Sequence, residues 1–211
     1  MPSKNAPQIY LAVLLDLQEG LRARIKNALE RSGWTWAAAE AGNLGAIAGA
    51  DMLIANITGP TGEPSFHIDI DTIFVAVTEE KLPSASFGDA TLCPTDSAEV
   101  FADAFRRWLP PETHALDRME SLFGREGLVP IVTGLRDALR SALPLLEQGG
   151  APDAHKLSGL AGTLGFTEAS NCWQAMDRGA GRVEDARRAS KTAVIAIDRW
   201  LGVPGQAPLP S

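Results

Sequence analysis

The chain has 211 residues, enough for one large domain or two small ones at roughly 100–150 residues each. It is 45% apolar and 21% charged, which excludes a disordered chain, since those have less apolar content and denser charge. A net charge of −7 argues against a phosphate-backbone binder, so nucleic acid is not an expected partner.

The first half reads as strands alternating with helices. Ile9–Leu15 is a continuous apolar run, as a strand buried on both faces requires. Gln18–Ser32 is amphipathic, with Leu21, Ile25, Ala28 and Leu29 on one face, and Gly33 is its stop signal. Trp34–Ala39 reads as a strand, followed by a helical stretch and then the buried run Asp51–Ile57. That run is closed by the turn cluster Thr58-Gly59-Pro60-Thr61-Gly62. Thr72–Val77 and Ala90–Cys93 are the fourth and fifth strands. Ser97–Leu109 is a helix with Val100, Phe101, Ala104, Phe105 and Trp108 inward. Such alternation implies a parallel sheet with right-handed crossovers.

Trp108-Leu109-Pro110-Pro111 ends that pattern, because two prolines stop a helix and stiffen a linker. The domain boundary is placed there, giving 1–110, 111–203 and a frayed Pro/Gly-rich tail, 204–211. The first region carries a net −6 and the residues after it −1. Beyond the boundary every period is helical: Glu112–Phe123, Leu128–Gln148, Pro152–Phe166, Glu168–Arg178 and Val183–Leu201. Leu128, Ile131, Leu135, Leu139 and Ala142 form the core stripe of the second of these, with a kink expected at Pro144. Val183, Ala186, Ala193 and Ile197 form that of the last. Short loops between such helices give an antiparallel bundle.

The longest early apolar run is far short of the ~20 residues a bilayer needs, and no basic segment with a small-residue cleavage site precedes it. Neither a membrane partner nor a signal peptide is expected. Cys93 and Cys172 lie far apart without a C-x-x-C, which excludes a disulfide framework and a zinc ribbon and fits a reducing cytoplasm. Both read as packed small residues. His67, Asp69 and Asp71 alternate and could share a face as a metal site; the plainer reading is a polar loop before the fourth strand.

The informative segment is Ala154-His155-Lys156-Leu157-Ser158-Gly159-Leu160-Ala161-Gly162-Thr163-Leu164-Gly165-Phe166. On a helix, Leu157, Leu160, Ala161 and Leu164 make a core stripe. His155, Ser158, Gly159 and Gly162 fall on the opposite side. Each interior glycine costs about 1 kcal/mol relative to alanine, a cost that makes sense where something must approach the backbone. A lone solvated histidine beside glycines that merely allow tight packing is the plain alternative.

As a whole, the segment resembles the signature of the histidine-containing phosphotransfer (Hpt) domain: a histidine, leucine two on, lysine three on, glycine four on, small residues and a closing apolar-glycine pair. These fall on His155, Leu157, Ser158, Gly159, Ala161 and Leu164-Gly165, across a region of similarity spanning roughly 112–202. The usual lysine is Ser158, and Lys156 is the nearest cation. The resemblance implies an all-α four-helix bundle that carries a phosphoryl group on His155, with Lys156, Ser158, Gly159 and Gly162 shaping its surroundings. Neutral imidazole, with an ordinary pKa of ~6.5, is a suitable nucleophile near pH 7. The partners implied are receiver domains of response regulators or hybrid histidine kinases. The chain itself needs no cofactor on this reading, because the receiver supplies Mg²⁺ and the acidic pocket. No glycine-rich nucleotide box precedes Pro110, so an ATP-dependent kinase is not expected.

The β/α order of 8–109 is similar to a receiver domain, a flavodoxin-like α/β fold, with its chemistry lost. Asp16 matches the acidic residues after the first strand. Asn56 stands where the phosphoacceptor aspartate would be. Thr78 matches the Thr/Ser after the fourth strand, and Cys93 stands where the lysine would be. The expectation is a cytoplasmic phosphorelay intermediate made of a pseudo-receiver and an Hpt bundle. Its rival is a non-catalytic scaffold that binds a receiver or kinase without phosphotransfer.

Overall fold

A computed structural model of the chain describes residues 9–39, 49–57, 68–79 and 88–203. The chain divides into two compact units, the main division falling between Leu109 and Pro110, with Asp69–Asp71 grouped with the second. The turn cluster Thr58–Gly62, the helical stretch after the second strand, His67 and the tail from 204 lie outside the described residues.

The first unit is a five-stranded parallel sheet in the order β2-β1-β3-β4-β5. The strands are β1 (Leu11–Leu15), β2 (Thr35–Ala39), β3 (Met52–Asn56), β4 (Ile73–Val77) and β5 (Ala90–Leu92). This is one of the two common orders of doubly wound α/β sheets, compatible with a flavodoxin-like fold. The register runs Ala12 with Met52 and Met52 with Ile73. Val13, Leu15, Leu53, Ala55, Phe74 and Ala76 therefore share one buried face. The alternate set, Ala12, Leu14, Met52, Ile54, Ile73 and Val75, is equally buried. A strand covered on both sides must be apolar at every position, which is why these segments read as unbroken runs.

Helix α1 (Glu19–Arg31) follows β1, and α2 (Ala98–Arg107) follows β5. Ser97 caps α2, its hydroxyl accepting from the Val100 N–H. The two helices pack together. Ser32 Oγ donates to Ala28 O at 2.7 Å and lies 3.0 Å from Ala102 O, and Trp34 Nε1 donates to Phe105 O at 3.1 Å. Val100, expected inside, is 48% exposed, and Ala102 is buried in its stead. Phe101, Phe105 and Trp108 hold the inner stripe, and Val100 lies about 100° from Phe101.

The second unit contains α3 (His114–Phe123), α4 (Arg125–Glu147), α5 (Ala154–Thr163), α6 (Thr167–Asp177) and α7 (Val183–Leu201). One core cluster joins all five helices through Leu116, Val132, Leu135, Leu139, Leu157, Ala161, Trp173, Val194 and Ile197. Trp173 is fully buried, and its Nε1 donates to Ser190 Oγ at 3.0 Å, so the indole leaves no orphaned donor. Helix α4 begins three residues earlier than its apolar stripe and continues through Pro130 and Pro144. Its core stripe is Leu128, Val132, Leu135, Leu139, Ala142 and Leu146, spaced alternately four and three. Ile131 lies off that stripe and is 50% exposed, and Val183, in the first turn of α7, is also exposed. Both were expected inside.

Among the described residues, no helix is long and apolar enough to cross a membrane.

Candidate functional site

Helices α5 and α6 form a hairpin around Leu164-Gly165-Phe166. Its turn follows from the sequence. Phe166 N–H donates to Ala161 O at 2.9 Å and Gly165 N–H to Gly162 O at 3.2 Å, the paired bonds of a Schellman C-cap. Gly165 takes φ +85, a conformation that other L-residues rarely adopt. Phe166, buried at the next position, seals the cap. The two helices then run antiparallel in a fixed register: Ser170 Oγ donates to Ser158 O at 2.9 Å, while Asp177 meets His155 at the far end.

Asp153 caps α5, accepting from Lys156 N–H at 3.0 Å. That places His155 in the first turn, where its side chain is 87% exposed. Its Nδ1 lies 3.3 Å from Asp177 Oδ2. A carboxylate only accepts, so Nδ1 carries the proton, and in the neutral ring Nε2 is left with its lone pair toward solvent. The pair has the geometry of a nucleophilic imidazole oriented by a carboxylate. Asp177 is the last residue of α6, at the negative end of the helix macrodipole, where a carboxylate costs ~0.3–1 kcal/mol. Helix stability does not favour it there, and its carboxylate turns to His155.

The other segment residues divide by neighbour. Ser158 Oγ turns back to His155 O at 3.0 Å, and Thr163 Oγ1 to Gly159 O at 2.9 Å. Gly159 has open space where a β-carbon would stand. At Gly162 a β-carbon would sit 2.9 Å from Ser170 Oγ, so this glycine permits the close approach of α6. Lys156 is exposed, about 100° around the helix from His155. Gly159→Ala should therefore raise stability by up to ~1 kcal/mol through helix propensity. Gly162→Ala should not, because the Ser170 hydroxyl must yield its bond to Ser158. Thermal melts of the two variants check this, and equal gains would show that α6 does not press on Gly162.

In the first unit, the carboxyl ends of the strands bring Asp16, Asn56, Thr78 and Cys93 to one edge of the sheet. Ligands of open α/β sheets bind at such an edge. Asp16 is exposed at φ +49, Asn56 is half-buried and Thr78 buried. Cys93 Sγ lies 3.0 Å from Thr95 Oγ1, and its N–H donates to Asp96 Oδ2 at 2.7 Å. No cation projects from position 93, and Asn56 offers an amide. Asp69 is exposed and Asp71 half-buried; the third member of that candidate set, His67, lies outside the described residues. Burial pushes the Cys172 thiol up, which favours its protonated form.

Asp177 is the site residue that sequence reasoning missed. It lies 22 residues from His155, and its only sequence signal is an acid in the last turn of a helix, where cations are favoured.

No family model matches the chain, and no curated protein matches it.

Proposed function

We propose that the chain is a phosphorelay intermediate of two-component signalling, working in the cytoplasm. On this reading the helical unit is an Hpt bundle, and His155 takes a phosphoryl group from a receiver aspartate and passes it to another receiver. The observation that carries the reading is an exposed imidazole whose Nδ1 is held by Asp177, leaving Nε2 free to attack. In the step, the Nε2 lone pair attacks phosphorus, and the P–O bond to the receiver carboxylate breaks with its electron pair. The ring becomes a phosphoimidazolium whose Nδ1–H stays on Asp177. Both ends are high-energy acyl or phosphoramidate bonds, so the transfer is reversible. Open space at Gly159 gives a receiver's rim close access. Gly159→Glu should leave the fold intact and slow transfer on the order of 100-fold, since small displacements of reacting groups are that costly.

The test is incubation with a panel of phosphorylated receivers, followed by a search for acid-labile, alkali-stable label. Label on the chain supports the reading. Receivers that bind without transferring would favour a scaffold.

The first unit is, on the same reading, a pseudo-receiver. An amide at Asn56 cannot form an acyl phosphate, and Cys93 supplies no cation. Acetyl phosphate or beryllofluoride with Mg²⁺ should leave its NMR spectrum unchanged. Widespread shifts around Asp16 and Asn56 would show a working acceptor site.

A further inference from the structure

Resting on the phosphotransfer reading, we propose that Arg178 is the cation that neutralises the phosphoryl group on His155. A phosphoryl group there carries close to two negative charges at neutral pH and three strong acceptor oxygens, and the site must supply donors for them. The neutral donors nearby are already committed to backbone: Ser158 to His155 O, Ser170 to Ser158 O and Thr163 to Gly159 O. No cation stands at position 158. Asp177 serves the ring nitrogen and repels the phosphoryl oxygens.

Two cations flank the imidazole in sequence. On α5, Leu157 and Ala161 point to the core while Ser158 and Gly162 meet α6. Lys156 lies about 160° around the helix from Ser158, on the far side from α6. On α6, Ala169 and Trp173 are buried, and Ser170 and Asp177 face α5. Arg178 comes one residue after Asp177, about 100° further on and away from the buried side. It therefore borders the solvent side of the α5–α6 groove, opposite His155. The antiparallel register that joins Asp177 to His155 sets Arg178 level with the first turn of α5. Its guanidinium makes no hydrogen bond or ion pair among the described residues. The turn beyond it stays close to α6: a β-carbon at Gly181 would lie 2.5 Å from Met176 N. The next arginine, Arg182, is paired with Glu184. A guanidinium bonds two phosphoryl oxygens at once.

An arginine at a helix C-terminus also complements the macrodipole, so the test must read the phosphoryl group itself. The full chain is loaded chemically with phosphoramidate: Nε2 attacks phosphorus and ammonia leaves, with no receiver involved. Loading is followed by ³¹P NMR with pH titration of the phosphoryl resonance. Arg178→Ala should load roughly 10-fold more slowly, the effect of removing one charged hydrogen-bonding partner, and its phosphoryl group should titrate at higher pH. Arg178→Lys should recover part of the loss, and Ser158→Lys in the Arg178→Ala background should recover more. Melting curves confirm that the variants are folded. Unchanged loading and titration in Arg178→Ala, a larger loss in Lys156→Ala, or failure of the parent chain to load would each overturn the assignment. A parent that loads chemically but exchanges with no receiver would instead defeat the phosphorelay reading and leave the role of Arg178 to be judged by the same spectra.

Discussion

His155→Gln is expected to abolish every trace of acid-labile label, whichever phosphorylated receiver is offered, without lowering the melting temperature. The imidazole packs against nothing, being 87% exposed, and its only described side-chain partner is Asp177. Glutamine is at least as good a helix former as histidine. The loss would therefore be chemical, since an amide nitrogen has no lone pair available for attack on phosphorus. Labelled ATP alone should give no label in the parent chain. Asp177→Leu belongs in the same experiment. It keeps the nucleophile but frees the ring to turn and to hold its proton on either nitrogen. Transfer should fall by roughly 10–100-fold, the usual effect of removing a group that orients a histidine. Label persisting in His155→Gln would sink the assignment. Transfer at the parent rate in Asp177→Leu would reduce that contact to a surface ion pair.

Gly165→Ala should be strongly destabilising. The left-handed backbone at φ +85 costs a non-glycine residue roughly 1–2 kcal/mol. The added β-carbon would fall on Ala115 Cβ of α3, a clash that must be relieved by shifting a helix. Overpacking of that kind costs about 1–3 kcal/mol, for a total of about 2–5 kcal/mol. Urea or thermal unfolding measures it, and Ala115→Gly in the same chain should return the part due to the clash. A loss under about 0.5 kcal/mol, the range of ordinary surface changes, would mean that α3 does not lie against this turn.

Gly165 also shows what sequence can and cannot reveal. The sequence pattern carries α5 to Phe166, whereas the helix ends at Thr163 and turns at Gly165, so the apolar-glycine pair is the stop and not part of the helix. What the glycine touches is not readable, because Ala115 belongs to a helix fifty residues earlier and no local pattern links them. The sheet strands were legible because burial on both faces leaves unbroken apolar runs such as Met52–Asn56. Val183 has the spacing of the α7 stripe but stands in the first turn, where the helix end meets solvent, and Val100 and Ile131 each stand one position before the residue that is fully buried, Phe101 and Val132. His155 was singled out by the resemblance of the whole segment, since its glycines alone fit an ordinary solvated histidine as well. Asp177 was not, since its meaning depends on the register of two helices, which Gly162 and Ser170 set through a contact that composition does not encode.

Because Asp177 is the final helical residue of α6, the orientation of the imidazole depends on the part of a helix that opens most readily. Terminal turns fray with low free energies compared with global unfolding, and each such opening would release the carboxylate and scramble the ring's tautomer. The two glycines at positions 179 and 181 hold that turn shut through the cap bond from Ala180 N–H to Ala175 O. Hydrogen exchange at Gly179 and Ala180 should thus report, from outside the reaction, the fraction of molecules ready to react. A partner that steadied or loosened this turn would set the rate without touching the histidine.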